Sequence, residues 1–257
     1  MVSKNTILTK NRLKFIEDVI ATSGRVVTPN DIRNAVSKKY SKFALRKRIN
    51  ESKSKGWFVP LKRGLYFIAD ITSHGFVDVS PFVIANAYNK DTYISLDSAF
   101  SYYNLIEQML RTTTSITKNR TKRYKFQGHN YQFLKIRRNL YFGSKSHVID
   151  GYYVKIAELE KAILDYLYFR NDTYTIDLLI EILQKIKDKL DLKKLFIYAK
   201  KFPEASKRKI GFLLDLLNMD TSVLYKSVKR SGYSKFTSNS RKFNSKWRIY
   251  YENRFTK

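Results

Sequence analysis

The hydrophobic period changes at Gly56, and that change constrains the fold more than any other feature of the chain. Before it, apolar residues recur at helical spacing in three short runs: Leu13, Phe15, Ile16, Val19 and Ile20, then Ile32, Ala35 and Val36, then Leu45 and Ile49. After it, Trp57-Phe58-Val59-Pro60-Leu61 and Leu65-Tyr66-Phe67-Ile68 flank Lys62-Arg63-Gly64, which reads as a hairpin with a three-residue, glycine-containing loop. The helix boundaries carry their own chemistry. The first helix is expected from about Lys10 to Thr22, with Thr9 as its cap. Thr28-Pro29-Asn30-Asp31 is a helix start, because Thr28 can cap, Pro29 suits the first position and Asp31 meets the positive end of the dipole. A third helix runs from Lys42 to Lys55 and closes at Gly56.

The wheel of that third helix separates two faces. Leu45, Ile49 and Ser52 lie on one side, whereas Phe43, Arg46, Lys47, Asn50 and Ser54 spread over the other, with Lys42 at the start. Three short helices, a basic and hydrogen-bonding outer face on the last, and a hairpin predict a winged helix-turn-helix over residues 1–75. Such a helix needs donors at base edges and cations at phosphates. Arg46 can fork to guanine, Asn50 can pair with adenine and Phe43 can touch a thymine methyl, while Lys62 and Arg63 place two cations at the hairpin tip.

Residues 76–257 are expected to form a mixed α/β domain ending in a helical segment, so the fold class is α+β. Helices are expected over Pro81 to Asn89, over Leu96 to Leu105 and from Ala157; extended segments over Thr92 to Ser95, Thr112 to Thr117, Tyr124 to Phe126, Tyr131 to Ile136 and Tyr152 to Ile156. Gln127-Gly128-His129-Asn130 reads as a hairpin turn. Three further helices follow, marked by Ile176 to Leu183, Leu192 to Phe196 and Ile210 to Leu217. Nothing after Lys226 has a clear period, which predicts a tail ordered only in part.

A net charge of +28, from 50 Lys and Arg against 22 Asp and Glu, is the footprint of a polyanion partner. Codon drift in an AT-rich genome adds lysines but does not clear out acids. From Gln108 to Ile149 no Asp or Glu occurs, yet Arg120, Lys122, Arg123 and seven other cations do, which predicts a second positive face that lengthens a DNA footprint. With 0 Cys there is no disulfide, thiolate zinc site or cysteine nucleophile. The absence of a long apolar run excludes a membrane-spanning helix, and a cytoplasmic location is expected.

Enzymatic readings are weak. His74, His129 and His147 lack metal-ligand spacing and are expected in loops or at the surface. Gly143-Ser144 with Asp150 lacks the neighbouring carboxylates a nucleotidyltransferase needs, and Glu158, Glu160, Lys161 and Asp165 read as a solvated or capping helix face. No catalytic centre, cofactor, metal or small-molecule substrate is expected.

Several blocks also carry a family likeness. Gly64-Leu65-Tyr66, the run Tyr93-Ile94-Ser95-Leu96-Asp97-Ser98-Ala99-Phe100, and Ala157-Glu158-Leu159-Glu160-Lys161-Ala162-Ile163-Leu164-Asp165 resemble AbiEi-type antitoxins of type IV toxin–antitoxin systems, with Thr114 to Thr117 and the hairpin Tyr124 to Phe133 in matching order. The likeness spans roughly residues 10–170. It implies a winged helix that binds inverted repeats in its own promoter, and a larger domain that counteracts a co-encoded nucleotidyltransferase-type toxin without a tight complex. The alternatives are a plain winged-helix transcription factor or RNA-binding module, and a metal-dependent nucleic-acid enzyme.

Overall fold

A computed structural model describes residues 9–36, 39–70 and 79–255 of the chain. It divides into two units, Met1–Lys90 and Asp91–Lys257. In the first, α1 (Lys10–Ser23), β1 (Val26–Val27), α2 (Pro29–Val36) and α3 (Lys42–Ser54) precede β2 (Phe58–Lys62), β3 (Leu65–Ile68) and α4 (Pro81–Tyr88). The start of α2 is a reciprocal cap: the Thr28 N–H donates to Asp31 Oδ2 at 2.8 Å and the Asp31 N–H to Thr28 Oγ1 at 3.2 Å. Thr9 occupies the cap position of α1 without a side-chain bond. Beyond α3, Gly56 takes a φ of 81°, a conformation that favours glycine and lets its N–H reach the Lys53 carbonyl at 3.0 Å. The helices bury Phe15, Val19, Ile32, Val36, Leu45 and Ile49 against Trp57, Phe58 and Ile68 of the hairpin segment.

The small sheet has the order β1-β3-β2, so Pro60, which has no N–H to give a ladder, sits in an edge strand. The hairpin loop is one residue shorter than its sequence suggests. Only Arg63 and Gly64 lie between the strands, because an irregularity between Pro60 and Lys62 takes up the extra residue and turns Leu61 inward. The unit boundary also moves, from residue 75 to Lys90. The reason is α4: the Tyr88 hydroxyl donates to the Leu61 carbonyl at 2.9 Å and the Lys62 ammonium to the Tyr88 carbonyl at 2.6 Å, tying α4 to β2.

The second unit is built on β4 (Thr92–Ile94), β5 (Thr112–Thr117), β6 (Lys122–Phe126), β7 (His129–Lys135), β8 (Ser144–Ile149) and β9 (Tyr152–Ala157), with α5 (Asp97–Tyr102) between the first two. These strands form one mixed sheet in the order β6-β7-β5-β4-β9-β8, in which β5 runs parallel to β7 and β4 parallel to β9. The β6–β7 turn is the dipeptide Gln127-Gly128 at φ 45° and 78°, tighter than the four-residue turn expected. Asp150-Gly151 at φ 49° and 79° makes a second two-residue turn of the same hand, between β8 and β9.

Helices α6 (Leu159–Phe169), α7 (Thr173–Lys185), α8 (Leu192–Ala199), α9 (Glu204–Leu216) and the short α10 (Ser222–Tyr225) follow. Beyond these helices the described residues do not trail off as a loose tail but build a further small sheet. Strands β10 (Ser234–Lys235), β11 (Lys242–Asn244) and β12 (Ile249–Tyr251) form a sheet of order β10-β12-β11, which buries Phe236, Trp247 and Ile249. Trp247 packs on α9 where Gly211 leaves a notch, and its indole N–H donates to Asp215 Oδ2 at 2.6 Å. The molecule is thus a mixed α+β protein, as expected, in which a small sheet and a single 3-10 turn (Asn253–Phe255) follow the helices.

Candidate nucleic-acid interface

The outer face of α3 is held out by its inner one. Ser41 caps the helix by accepting the Ala44 N–H at 3.2 Å, and Leu45 and Ile49 anchor it in the core. Lys42, Phe43, Arg46, Lys47 and Asn50 all point to solvent. Phe43 is 80% exposed. Among the described residues none of Lys42, Arg46 and Lys47 forms an ion pair. Their neighbour Arg48 differs: its guanidinium lies 4.4 Å above the Tyr40 ring and 5.8 Å from that of Phe15, so it seals the core.

At the hairpin, Arg63 is exposed at the tip. Lys62 is not a second tip cation. Its ammonium is turned back to the Tyr88 carbonyl, a half-buried structural bond, because the bulge before it rotates the side chain toward α4.

The acid-free stretch does not make one positive face either. Arg120 lies in the loop before β6, and successive strand residues point to opposite sides, so Lys122 and Arg123 diverge. What alternation does unite is Arg123 with Lys125, register partners of Gln132 and Asn130 on β7. These four residues, with Thr112, line an open groove of about 420 Å³. Lys145 is drawn away to Glu158 at 3.0 Å.

The acidic cluster of α6 departs most from expectation. Lys161 and Asp165, four residues apart on one helix face, are ion-paired with no exposed surface at all. The Asp165 carboxylate also accepts from the Tyr93 hydroxyl at 3.0 Å and the Ser95 hydroxyl at 2.9 Å, while Lys161 donates to Tyr93 at 2.9 Å. The runs Tyr93 to Phe100 and Ala157 to Asp165 therefore meet in a buried clasp between β4 and α6. Burial pushes the Lys161 ammonium down and the Asp165 carboxyl up, each pulled back by the other. Glu158 and Glu160 are buried too and converge on Lys194, at 3.1 and 2.8 Å.

Glu158 makes a pH prediction possible. Burial pushes its carboxyl up, but hydrogen bonds from Tyr198 at 2.5 Å and from Lys145 and Lys194 outweigh this and hold it at about 2. A carboxyl depressed on folding stabilises the fold above its unfolded value and loses that contribution as pH falls through its folded one. Stability is expected to decline between about pH 4.5 and pH 2, and Glu158→Gln to flatten that part of a urea-midpoint profile. An unchanged acid limb in the variant would show the network to be inert.

His129 and His147 lie in β7 and β8 rather than in loops. His129 Nε2 meets Thr113 Oγ1 at 2.8 Å and His147 Nδ1 the Tyr102 hydroxyl at 3.0 Å; His74 lies outside the described residues. Burial lowers the His129 pKa. Among the described residues no group of three His, Asp or Glu side chains is placed to hold a metal, and no helix is long and apolar enough to cross a membrane.

No protein-family model and no curated protein matches the chain. Among solved structures, the crystal structure of the Rv2827c protein from Mycobacterium tuberculosis aligns with 97% of this chain and 94% of its own, at a TM-score of 0.70 and 11% identity. The two share a fold. At that identity the likeness concerns the path of the backbone and not the chemistry of any side chain.

Proposed function

We propose that the first unit is a winged helix-turn-helix that lays α3 in the major groove of double-stranded DNA, and that the chain is the autorepressing antitoxin of a type IV toxin–antitoxin system. The observation that carries the DNA reading is the α3 face, where Arg46, Asn50 and an 80% exposed Phe43 project together from a capped, core-anchored helix. Arg63 supplies a phosphate contact from the hairpin. Lys62, occupied by α4, supplies none. The antitoxin part rests on the likeness of the sequence blocks to AbiEi-type proteins, and on a second unit far larger than a DNA reader requires. It counteracts a co-encoded nucleotidyltransferase-type toxin without a tight complex.

Arg46→Ala or Asn50→Ala is expected to cost about 1–3 kcal/mol at an inverted-repeat operator in the chain's own promoter and to relax base discrimination there. Gel shifts against the operator and a scrambled duplex measure both quantities. Normal operator binding by both variants removes the groove assignment. In cells, the double variant is expected to derepress the promoter yet still protect against the product of the adjacent reading frame. Lack of any toxicity from that frame leaves a plain winged-helix transcription factor as the reading.

A further inference from the structure

We propose that the outer face of the β6–β7 hairpin binds an unpaired nucleotide within a single-stranded nucleic acid, a site separate from α3 and different in the ligand it takes. Strand register builds it. Arg123 stands opposite Gln132 and Lys125 opposite Asn130, while Thr112 of β5 is the register partner of Asn130 on the far side, so cations, carboxamides and a hydroxyl share one patch. Arg123, Lys125 and Asn130 are exposed, and among the described residues neither cation forms an ion pair. Arg123 and Lys125 differ in this from cations that the fold ties inward, such as Arg208, whose guanidinium donates to the Lys229 and Ser231 carbonyls at 3.1 and 2.7 Å.

The shape selects the ligand. The open groove of about 420 Å³ has room for one nucleotide. A duplex keeps its bases stacked inside and is read by elements that protrude into its grooves, which a concave patch does not do. A single strand can splay a base into the groove, where Asn130 and Gln132 offer donors and acceptors to its edge while Arg123 and Lys125 take the flanking phosphates. RNA and DNA share this chemistry.

The test uses the full chain and fluorescein-labelled probes of about twelve nucleotides: an unstructured RNA, its DNA counterpart and the corresponding duplex. Single strands are expected to bind, and Arg123→Ala with Lys125→Ala to weaken them about tenfold or more and to flatten the log–log salt slope by about 1.4, for two phosphates. Asn130→Ala with Gln132→Ala should weaken single strands without moving that slope, and neither pair of substitutions should change affinity for the duplex, which separates this site from the operator reading. Tighter RNA than DNA binding identifies RNA as the source, and equal binding a strand of either kind. Single-strand affinity indifferent to Arg123→Ala with Lys125→Ala overturns the proposal, as does an equal loss on the duplex.

Discussion

Asp165→Ala is expected to destabilise the second unit by about 3–5 kcal/mol, enough to unfold much of it at moderate temperature. The carboxylate is fully buried, and it is what neutralises the Lys161 ammonium. Without it the ammonium keeps only the Tyr93 hydroxyl, and Tyr93 and Ser95 lose an acceptor at the centre of the sheet. Three aromatic rings, of Tyr93, Phe142 and Phe202, lie 5.0–5.3 Å from the Lys161 nitrogen and soften the loss without replacing a counter-charge. Replacing both partners together, Lys161→Met with Asp165→Leu, removes the desolvation cost as well as the attraction, and should restore most of the stability. The chain has 2 Trp, one in each unit, so Trp57→Phe leaves Trp247 as the fluorescent reporter of the second unit during urea unfolding. If the single and double replacements cost the same, the clasp is not an ion pair in solution.

Gly211→Ala should destabilise as well, although alanine ordinarily favours a helix interior over glycine by about 1 kcal/mol. A β-carbon on residue 211 would come within 2.2 Å of the Trp247 ring, against three ring atoms at once. The ring has to leave its seat, and with it goes the indole bond to Asp215, an acceptor that also serves Thr221 at 2.6 Å and Lys246 at 2.7 Å. Overpacking and the broken bond together are expected to cost about 2–4 kcal/mol net. In a Trp247→Ala background the notch is open, and Gly211→Ala should become neutral or stabilising. A double-mutant cycle followed by far-UV circular dichroism measures the coupling. A raised urea midpoint for Gly211→Ala in the wild-type background sinks this account of the terminal sheet.

The local chemistry of the first unit was legible because each of its elements announces itself within a few residues. Thr28 and Asp31 mark a helix start by their spacing, Gly56 a helix end, and Leu45 and Ile49 an inner face. The position of Lys62 was not legible, since it depends on α4, some two dozen residues away in the sequence. In the second unit β8 escaped notice although Asp150-Gly151 is a strong hairpin dipeptide. Its flanks blur the alternation: Val148 and Tyr153, register partners, both face solvent at 64% and 76% exposure. Lys161 and Asp165 were misread because charge ordinarily marks the wet side of a helix, whereas α6 is buried on nearly every side. The terminal strands are two or three residues long, too short for any period to show, and their apolar anchors Phe236, Trp247 and Ile249 stand apart in the sequence. The groove of Arg123, Lys125, Asn130 and Gln132 required strand register, which a parallel neighbour such as β5 leaves unmarked in the sequence.

The seat of Trp247 sets an order of events during synthesis. The core of the first unit is complete once Ile68 has emerged, and α4 joins it by Tyr88. In the second unit, α9 keeps an open notch at Gly211 until Trp247 emerges to fill it. At about 5–20 residues per second that interval is on the order of 10–30 s, during which α3 can already be folded and present its face while the larger unit is still assembling.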